Sequence, residues 1–547
     1  MRPSISPEGD TAYLDEIHDD SVLAVSGFNL ATTPEFLILE LYKKYQATGH
    51  PKSLFLETDA LPASPGRALD LVLKDMSESG DCGFIKGMLV PFMGFSPYLQ
   101  KMTLEDRFQV YGWPIGITAY WFREVASGRP GLLTKIGIDT FLDPDQDSGT
   151  LNESAARNRM CYSTKIDLFG EEFLIYRAPK PNVSFIRVTS SDRLGNLSME
   201  DEPIRGTVMS IAQASKAMPN PGKVVAQVKR VVADGAFSPR QVEVPYPLVD
   251  YVVTSPPQYH WQASSFEYDP RACFRVSPGN TDRLLGDMGA SKSPQLHRII
   301  ARRVALELIQ LLNSKGSPIL INLGVGVPAL LSGIISEEGL SRDVVSVVES
   351  GPWGGVALTG PDFGISMGAF ALSTIPDMFS NYEGGIIDTA SLGFLQVDQN
   401  GNVNPSYIPG KLTGPGGFPV IAEGTPRVYF AGTFTAGKSD IAVENGKLNI
   451  RSDGDVLKFV NRVYKIFFSG KQAMKFTKEV RYFTERAVFT LTENGLRLDE
   501  IAPGADLDRD ILGKMEFRPV VSRELKEILP AVFSGNRMNL KYMITHH

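Results

Sequence analysis

Glu349 is the residue whose type and position best suit covalent chemistry. It follows a valine-rich run, Val344 to Val348, that is typical of a strand buried on both faces. Its carboxylate is therefore expected at the carboxyl end of a strand, where open α/β sheets bind their ligands. A carboxylate placed there can serve as a nucleophile. On spacing alone, a helix cap or a partner for an arginine is an equally good interpretation.

Glycine-rich segments lie before and after this carboxylate in the sequence. Residues 350–355 read SGPWGG, and residues 324–328 read GVGVP and lead into a predicted helix. Glycines let backbone N–H groups approach a ligand and hold a developing oxyanion, and a helix N-terminus can bind an anionic or carbonyl oxygen. The GVGVP loop lacks the third glycine of a dinucleotide fingerprint. The residues predicted to supply these close backbone contacts are Gly324, Gly326, Gly354 and Gly355.

The elements that position Glu349 belong to one of two similar halves. The first half has SVLAVSGFNLATTPEF, which predicts a strand, a loop, Pro34 and a helix, and the second has PILINLGVGVPALL with Pro328 in the same place. Both halves then reach an Asp-x-x-Gly-Asn turn, at Asp192 and at Asp398. Two such pairs in the same order indicate an internal repeat. The first half carries about 91 more residues between loop and turn.

The predicted fold is α/β, with two similar open, mostly parallel α/β domains. They are expected over residues 1–276 and 295–547, joined by a polar linker rich in Gly, Ser and Pro over residues 277–294. A helix is predicted directly after the linker, with Ser293 as N-cap and Pro294 as the first helical residue.

Composition argues against several classes of partner. The 547 residues are 43% hydrophobic and carry a net charge of −7, so no positive field favours nucleic acid or an anionic membrane. Residues 318–335 are nearly long enough for a membrane helix, but their glycines and prolines favour a strand, a loop and a short helix. The three cysteines form no CxxC pair, and with no export signal at the N-terminus this predicts a cytoplasmic protein without a metal site.

Many segments of this chain, in order, together resemble family I coenzyme A (CoA) transferases, most closely the single-chain acetate or propionate type. In the second half the matching segments are GVGVP, ESGPWGG from Glu349, GGIIDTASLGFLQVDQNGNVN, GPGGF (414–418), GTFTAG (432–437), TERAVF (484–489), EIAPG (500–504) and MEFRP (515–519). In the first half they are GRALD (66–70), GRPGLLTKIGIDTFLDP (128–144), AQVKRV (226–231) and YHWQ (259–262). The resemblance covers nearly the whole chain.

The resemblance implies an acyl-CoA:carboxylate CoA-transferase that moves CoA between short-chain carboxylic acids by a ping-pong mechanism. Glu349 matches the glutamate that attacks the thioester in that family and then carries CoA as a glutamyl thioester. CoA would be a substrate and covalent intermediate, with no other cofactor, and the other partners would be acyl-CoAs and small carboxylic acids. The resemblance also implies a homo-oligomer, with the first half on the side of the acid.

The first half departs from the family pattern at three loops expected to face the active site. Residues 114–116 read Pro-Ile-Gly where the family commonly has Pro-Gln-Gly, and isoleucine cannot donate a hydrogen bond. Residues 26–29 and 91–97 also differ, reading SGFN and PFMGFSP. Asn29 is a candidate substitute donor, and Trp353 is predicted to form a wall of the acyl pocket beside Ile115.

Two other functions fit parts of the sequence. An acyl-CoA hydrolase would use the same glutamate, with water taking the acyl group, and Ile115 keeps this alternative open. A non-covalent protein that binds CoA esters or sugar phosphates on a similar fold is the third alternative. The absence of a Lys/Arg-rich phosphate clamp beside the glycine loops disfavours it.

Overall fold

Two large sheets, one in each half of the chain, form the frame of the protein. The computed structural model describes residues 2–6, 10–274, 294–316 and 318–545. Valine, isoleucine and leucine dominate the central strands of both sheets, as expected of strands covered on both faces. Helices pack over these strands, so the predicted α/β class is confirmed.

The first sheet has eight strands, and every neighbouring pair is parallel. Its spatial order is β1-β8-β7-β6-β2-β3-β4-β5. The strands are β1 (Ser4–Ser6), β2 (Val22–Val25), β3 (Leu54–Thr58), β4 (Ile85–Leu89), β5 (Gln109–Tyr111), β6 (Val183–Arg187), β7 (Lys223–Val228) and β8 (Tyr251–Thr254).

The second sheet has ten strands around a parallel centre. The strands are β9 (Ile319–Leu323), β10 (Val344–Val347), β11 (Pro352–Trp353), β12 (Ala371–Leu372), β13 (Thr389–Leu392), β14 (Arg427–Ala431), β15 (Glu479–Phe483), β16 (Ala487–Thr492), β17 (Gly495–Ile501) and β18 (Val520–Glu527). Their order is β12-β11-β10-β9-β13-β14-β15-β16-β17-β18. Strands β10, β9, β13, β14 and β15 run parallel, while β11, β12, β16 and β17 add antiparallel pairs at the two sides.

The α-helices of the described chain cover these sheets and their junction. They are α1 (Glu35–Thr48), α2 (Leu69–Ser79), α3 (Pro97–Leu104), α4 (Ile115–Ala126), α5 (Glu153–Asn158), α6 (Val208–Lys216), α7 (Gln295–Lys315), α8 (Leu331–Glu337), α9 (Ile375–Glu383), α10 (Phe418–Gly424) and α11 (Gly470–Lys475). The side-chain hydroxyls of Ser96 and Thr374 cap α3 and α9 by accepting a hydrogen bond from a backbone amide in the first turn.

Short strands form several smaller sheets around the frame. The three-stranded sheets join Leu132–Thr134, Glu171–Arg177 and Tyr162–Leu168; Leu197–Ser198, Ser190–Asp192 and Arg230–Val232; and Val403–Asn404, Gln396–Asp398 and Phe459–Val460. The two-stranded sheets pair Ala63–Ser64 with Arg67–Ala68, Val356–Ala357 with Ser366–Met367, Tyr407–Ile408 with Lys411–Leu412, Thr435–Ala436 with Val456–Leu457, and Asp440–Glu444 with Lys447–Ser452.

The predicted repeat is visible in the geometry of the two turns. Asp192 Oδ1 accepts hydrogen bonds from the amides of Leu194 and Asn196, and its Oδ2 accepts one from the Asn196 side chain. Asp398 makes the same three bonds with Asn400 and Asn402. In each turn the glycine amide also donates to the aspartate carbonyl. Much of the extra length of the first half is α4 and the sheet that begins at Leu132–Thr134.

The region around the predicted linker is only partly described. Residues 277–293 and the Ser293 cap lie outside the described residues, so the domain boundaries stay a prediction. Helix α7 begins at Gln295, with Pro294 one residue before it in an extended conformation, so the predicted helix start was wrong by one residue. Residues 318–335 form a strand, a loop, a one-turn helix at Pro328–Leu330 and α8, as predicted. Among the described residues, no helix is long and apolar enough to cross a membrane.

The two halves pack directly on each other. Helix α4 of the first half lies against α9 and α10 of the second, and a Cβ added at Gly116 would lie 2.5 Å from the Phe379 ring. Arg123 binds Asp377 across this junction at 2.7 Å. One apolar core runs from the first sheet into the second, and another fills the space between α7, α8 and one face of the second sheet. The junction therefore holds the loops of both sheets in fixed positions.

Candidate active site

A cavity of about 460 Å³ lies where the carboxyl ends of the central strands of both sheets meet. Loops after β2, β3, β4 and β5 supply its wall from the first half. Loops after β9, β10, β13 and β14 supply its wall from the second half. Carboxyl ends of parallel strands are where α/β folds bind ligands, and the volume suits an organic ligand.

Glu349 reaches this cavity from a tight turn after β10. The Gly351 amide donates to the Val348 carbonyl at 2.9 Å, which places Glu349 inside the turn. The side chain lines the cavity and the residue is 8% exposed, yet its carboxylate accepts no hydrogen bond from any described residue. Burial raises the pKa of this carboxyl to about 8. Such a group is poorly solvated and therefore more reactive as a nucleophile once ionised.

Gly417 forms the seat of the Glu349 carboxylate, by which we mean the backbone surface that the carboxylate contacts. A Cβ at Gly417 would lie 1.8 Å from Glu349 Oε2, so any other residue at position 417 would displace the carboxylate. Gly417 directly precedes α10 in the GPGGF segment. No local sequence pattern points to Gly417, because its role depends on a contact across 68 residues of chain.

The GVGVP loop offers free backbone donors at the cavity. Gly324, Val325, Gly326 and Val327 all line it. The Gly324 amide already donates to the Ser391 carbonyl at 2.9 Å, whereas the amides of the next three residues donate to no acceptor in the described chain. Gly326 has a positive φ of 86° and open space where a Cβ would be. Three unpaired amides in one loop can hold a carbonyl oxygen as charge develops on it.

The structure does not bring Gly354, Gly355 and Trp353 to the cavity wall. Trp353 belongs to β11, which turns back antiparallel to β10 and carries this segment to the edge of the sheet. The Gly354 amide donates to the Ser346 carbonyl at 2.7 Å, and a Cβ at Gly355 would lie 2.5 Å from the Met367 carbonyl. The Trp353 indole donates to Ser373 Oγ at 2.9 Å. Their predicted contacts with substrate find no support in these positions.

Two polar side chains that the sequence analysis missed also line the cavity. Asn322, on β9, accepts a hydrogen bond from the Tyr382 hydroxyl at 2.8 Å, which leaves its amide N–H groups without an acceptor among the described residues. Lys458 is 6% exposed and its Nζ lies 4.0 Å from the centroid of the Phe394 ring. No described carboxylate lies within 4 Å of its Nζ, although the Glu485 carboxylate attracts it from farther away. Burial lowers the pKa of this lysine to about 8. No motif or spacing pointed to either residue.

Asn29 and Ile115 both line the cavity from the first half. The Asn29 side-chain amide donates to the Phe363 carbonyl at 2.9 Å, so it ties the first half to the second. Ile115 begins α4, and its backbone amide donates to the Gly416 carbonyl at 2.9 Å. Ile115 therefore lies beside the loop that seats Glu349 and presents an apolar side chain there.

Asp59 occupies in the first sheet the place that Glu349 occupies in the second. It follows β3 directly, and its Oδ1 accepts hydrogen bonds from the amides of Gly27 and Ala60. It is 1% exposed and does not line the cavity, although Ala60 and Leu61 do. The repeat thus places a carboxylate at both strand ends, and only that of Glu349 faces the cavity.

Comparisons with known proteins agree with this geometry. The sequence model of the Coenzyme A transferase family matches residues 10–255. Caffeate CoA-transferase of Acetobacterium woodii is 35% identical over 525 residues, which cover 95% of each chain. Acetate CoA-transferase YdiF of Escherichia coli (strain K12) is 35% identical over 96% of this chain and 94% of its own. The chain belongs to the coenzyme A transferase family.

Solved structures of relatives extend this result to the fold. The acyl-CoA transferase YdiF of Escherichia coli O157:H7 superposes on this CoA-transferase with a TM-score of 0.84, at 32% identity, over 98% of this chain and 97% of that one. A second YdiF structure with the same score is described as a thioester complex with CoA. The α subunit of a malonate decarboxylase from Acinetobacter baumannii, at 14% identity and a TM-score of 0.51, shares the fold alone. The family and the fold predicted from the sequence are both confirmed.

Proposed function

We propose that this CoA-transferase moves CoA from an acyl-CoA to a small carboxylic acid through a covalent intermediate on Glu349. The observation that carries the proposal is the carboxylate itself. It is buried, unpaired among the described residues and aimed into a cavity between the two halves. An ion-paired carboxylate or a helix cap would have partners, so those alternatives lose their basis. The YdiF structure described as a thioester complex with CoA adds support from a relative.

In the first half of the reaction, a Glu349 oxygen attacks the thioester carbonyl carbon of the acyl-CoA. The C–S bond breaks, CoA leaves as a thiolate, and an acyl-glutamyl anhydride remains. The thiolate then attacks the Glu349 carbonyl carbon and expels the acid as a carboxylate. The enzyme is left with a Glu349–CoA thioester. No proton, water or ATP is consumed, because one activated acyl bond replaces another.

In the second half, the carboxylate of another acid attacks the Glu349–CoA thioester and expels the CoA thiolate. The thiolate attacks the acyl carbon of the new anhydride, which forms the new acyl-CoA and releases Glu349 as a carboxylate. Each attack generates an oxyanion. The free amides of Val325, Gly326 and Val327 and the side-chain amide of Asn322 are the donors placed to hold it.

An acyl-CoA hydrolase remains the alternative to be separated by experiment. Anhydride and thioester intermediates react with water, so transfer needs a site that excludes it. The aromatic and aliphatic side chains in the cavity wall favour exclusion of water and hence transfer over hydrolysis. A sugar-phosphate site is disfavoured, because only two of the described residues in the wall have basic side chains that could bind a phosphate. These residues are Lys458 and His297. The homo-oligomer and the cytoplasmic location stay predictions.

The test is mass spectrometry of the protein after mixing with a panel of acyl-CoAs. Borohydride reduces a glutamyl thioester to an alcohol and so marks the residue that carried CoA. We expect a CoA adduct at Glu349 in the wild type and in the control variant Glu524→Gln, whose carboxylate is exposed. We expect none in Glu349→Gln. An adduct at another residue, or conversion of many acyl-CoA molecules per enzyme to free acid and CoA without a second acid, would contradict CoA transfer through Glu349.

A further inference from the structure

The wall that the first half gives to the cavity is apolar. Its members are Phe28, Ala60, Leu61, Phe92, Phe95 and Ile115, and Asn29 is the one polar side chain among the described wall residues of that half. One N–H of the Asn29 side-chain amide is bonded to the Phe363 carbonyl, and the side chain carries no charge. An acid substrate that lies along this wall meets carbon atoms and no charged partner.

This apolar wall begins beside the nucleophile. The Met93 amide donates to the Thr413 carbonyl and the Gly416 amide donates to the Pro91 carbonyl, so the segment of Phe92 is bonded to the loop that ends in Gly417. Gly417 in turn seats the Glu349 carboxylate. An acyl group bound to Glu349 therefore has the segment that carries Phe92 and Phe95, and the Ile115 side chain, among its neighbours from the first half.

The aromatic rings in the wall are held in place. Phe92 and Phe95 pack edge to face with 5.2 Å between centroids, and a Cβ at Gly94 would lie 2.3 Å from the Phe92 ring. Phe28 packs on Phe363 at 6.2 Å, and a Cβ at Gly364 would lie 2.5 Å from the Phe28 ring. Edge-to-face and tilted rings form surfaces that an aryl or branched group can contact at van der Waals distance.

Apart from Asn29, the polar side chains of the described cavity wall lie in the second half. His297 and Thr433 line both this cavity and a second one of about 360 Å³, so they mark the end where the two meet. Lys458 lies beside Gly432, which precedes Thr433: a Cβ at Gly432 would lie 3.0 Å from the lysine Nζ. The amide-rich pantetheine arm of CoA fits this polar end. The acid is then left with the apolar wall.

We infer that the acid subsite of this enzyme takes a monocarboxylic acid with an aryl or branched apolar chain in preference to acetate or a dicarboxylic acid. The inference rests on the proposed CoA transfer and names its substrate class. A second carboxylate on the acid would be buried against carbon without a partner, which is strongly unfavourable. Each methylene that the wall removes from water raises kcat/KM by about fourfold, so an aryl chain gains roughly tenfold or more over acetate.

The test is a competition between acids in one reaction. Wild-type enzyme receives butyryl-CoA as donor with equal concentrations of acetate, 3-phenylpropionate and succinate. Early formation of each new CoA ester is measured by liquid chromatography with mass spectrometry, and the ratios of the initial rates are the ratios of kcat/KM. We expect 3-phenylpropanoyl-CoA to form at least about tenfold faster than acetyl-CoA, and succinyl-CoA to form more slowly than both.

Two variants and a matched control test whether the side chains of the apolar wall cause this preference. Phe92→Ala and Phe95→Ala should each lower the ratio of 3-phenylpropanoyl-CoA to acetyl-CoA by about fivefold, because ring contact area is lost. Phe169→Ala, at a fully exposed hairpin tip, should leave the ratio unchanged. If either wall variant fails to fold, the wild-type competition decides alone.

The outcomes separate this inference from the proposed function. Acetyl-CoA or succinyl-CoA formed as fast as 3-phenylpropanoyl-CoA would overturn the selectivity and leave CoA transfer intact. No CoA ester from any acid, together with no CoA adduct on Glu349, would overturn the transfer and the selectivity with it.

Discussion

The buried carboxylate of Glu349 should make this protein less stable as the pH rises, and Glu349→Gln should remove that effect. Burial raises the pKa of the folded-state carboxyl from its ordinary 4.5 to about 8. A raised pKa means that the folded state holds the proton more tightly than the unfolded state. The stabilising contribution is therefore complete below pH 4.5 and is lost as the pH rises through 8.

The size of this effect follows from the two pKa values. The two pKa values of about 8 and 4.5 differ by an amount that, at about 1.36 kcal/mol per pH unit, lowers the free energy of unfolding of the wild type by about 5 kcal/mol between low pH and pH 9. By pH 5 only about 1 kcal/mol of this stability is lost. The free energy of unfolding of Glu349→Gln, relative to that of the wild type, should therefore increase by about 4 kcal/mol between pH 5 and 9. For 547 residues that unfold together, this corresponds to a melting-temperature gain of about 4 °C.

The assay is thermal unfolding of wild type, Glu349→Gln and the exposed-site control Glu524→Gln at pH 5 and pH 9, at constant ionic strength. We expect the Glu349 variant to melt slightly above wild type at pH 5 and clearly above it at pH 9, while the control follows wild type at both. An equal shift at both pH values would refute the reasoning, because it would assign the effect to packing and not to ionisation.

Three further predictions follow from the same cavity. In single-turnover experiments, formation of the CoA adduct should speed up as the pH rises towards 8 and then level off, because the attacking form is the carboxylate; a rate that is flat from pH 6 to 9 would contradict this. Lys458→Met should stabilise the protein below pH 8 and have little effect above pH 10, because burial lowers the pKa of that lysine to about 8; melting curves at pH 6 and 10.5 test the sign. Gly417→Ala should reduce adduct formation by at least about a hundredfold, because a Cβ there displaces the carboxylate by more than the geometry of attack tolerates. Its control is Gly535→Ala, where a Cβ would find open space and the backbone φ is not in the left-handed region; equal adduct yields from the two variants would show that the Gly417 contact does not position Glu349.

The sequence predicted those features of the fold and site that depend on local pattern. The valine run before Glu349, the glycine loop after β9 and the two Asp-x-x-Gly-Asn turns are each encoded within a few adjacent residues, and the structure shows all of them. The valine run forms the predicted strand β10, but this strand is only partly buried, because Val345 and Ser346 remain partly exposed.

Features that depend on contacts between distant segments could not be predicted from spacing. Gly417 meets Glu349 only because α10 begins against the turn after β10. Lys458 reaches the cavity from the bend between two short strands far along the chain, and nothing near it in sequence signals a ligand. Gly354 resembled a loop glycine with a free amide, but the antiparallel return of β11 uses that amide in a bond to Ser346.

The two halves of the repeat divide the chemistry between them, and this division explains where the chain departs from its family. In the proposed mechanism the second half supplies the nucleophile, its seat and the free amides, which any thioester exchange requires, and there the family segments are kept. The first half supplies the wall along which the acid is proposed to lie, and the three segments that depart from the family pattern contribute Phe28, Phe92, Phe95 and Ile115 to that wall. A change of substrate acid needs a new wall but the same nucleophile. Sequence drift confined to the wall is therefore what a CoA-transferase with an altered acid preference should show, whereas loss of transfer chemistry would have left Glu349, Gly417 and the 325–327 amides free to change as well.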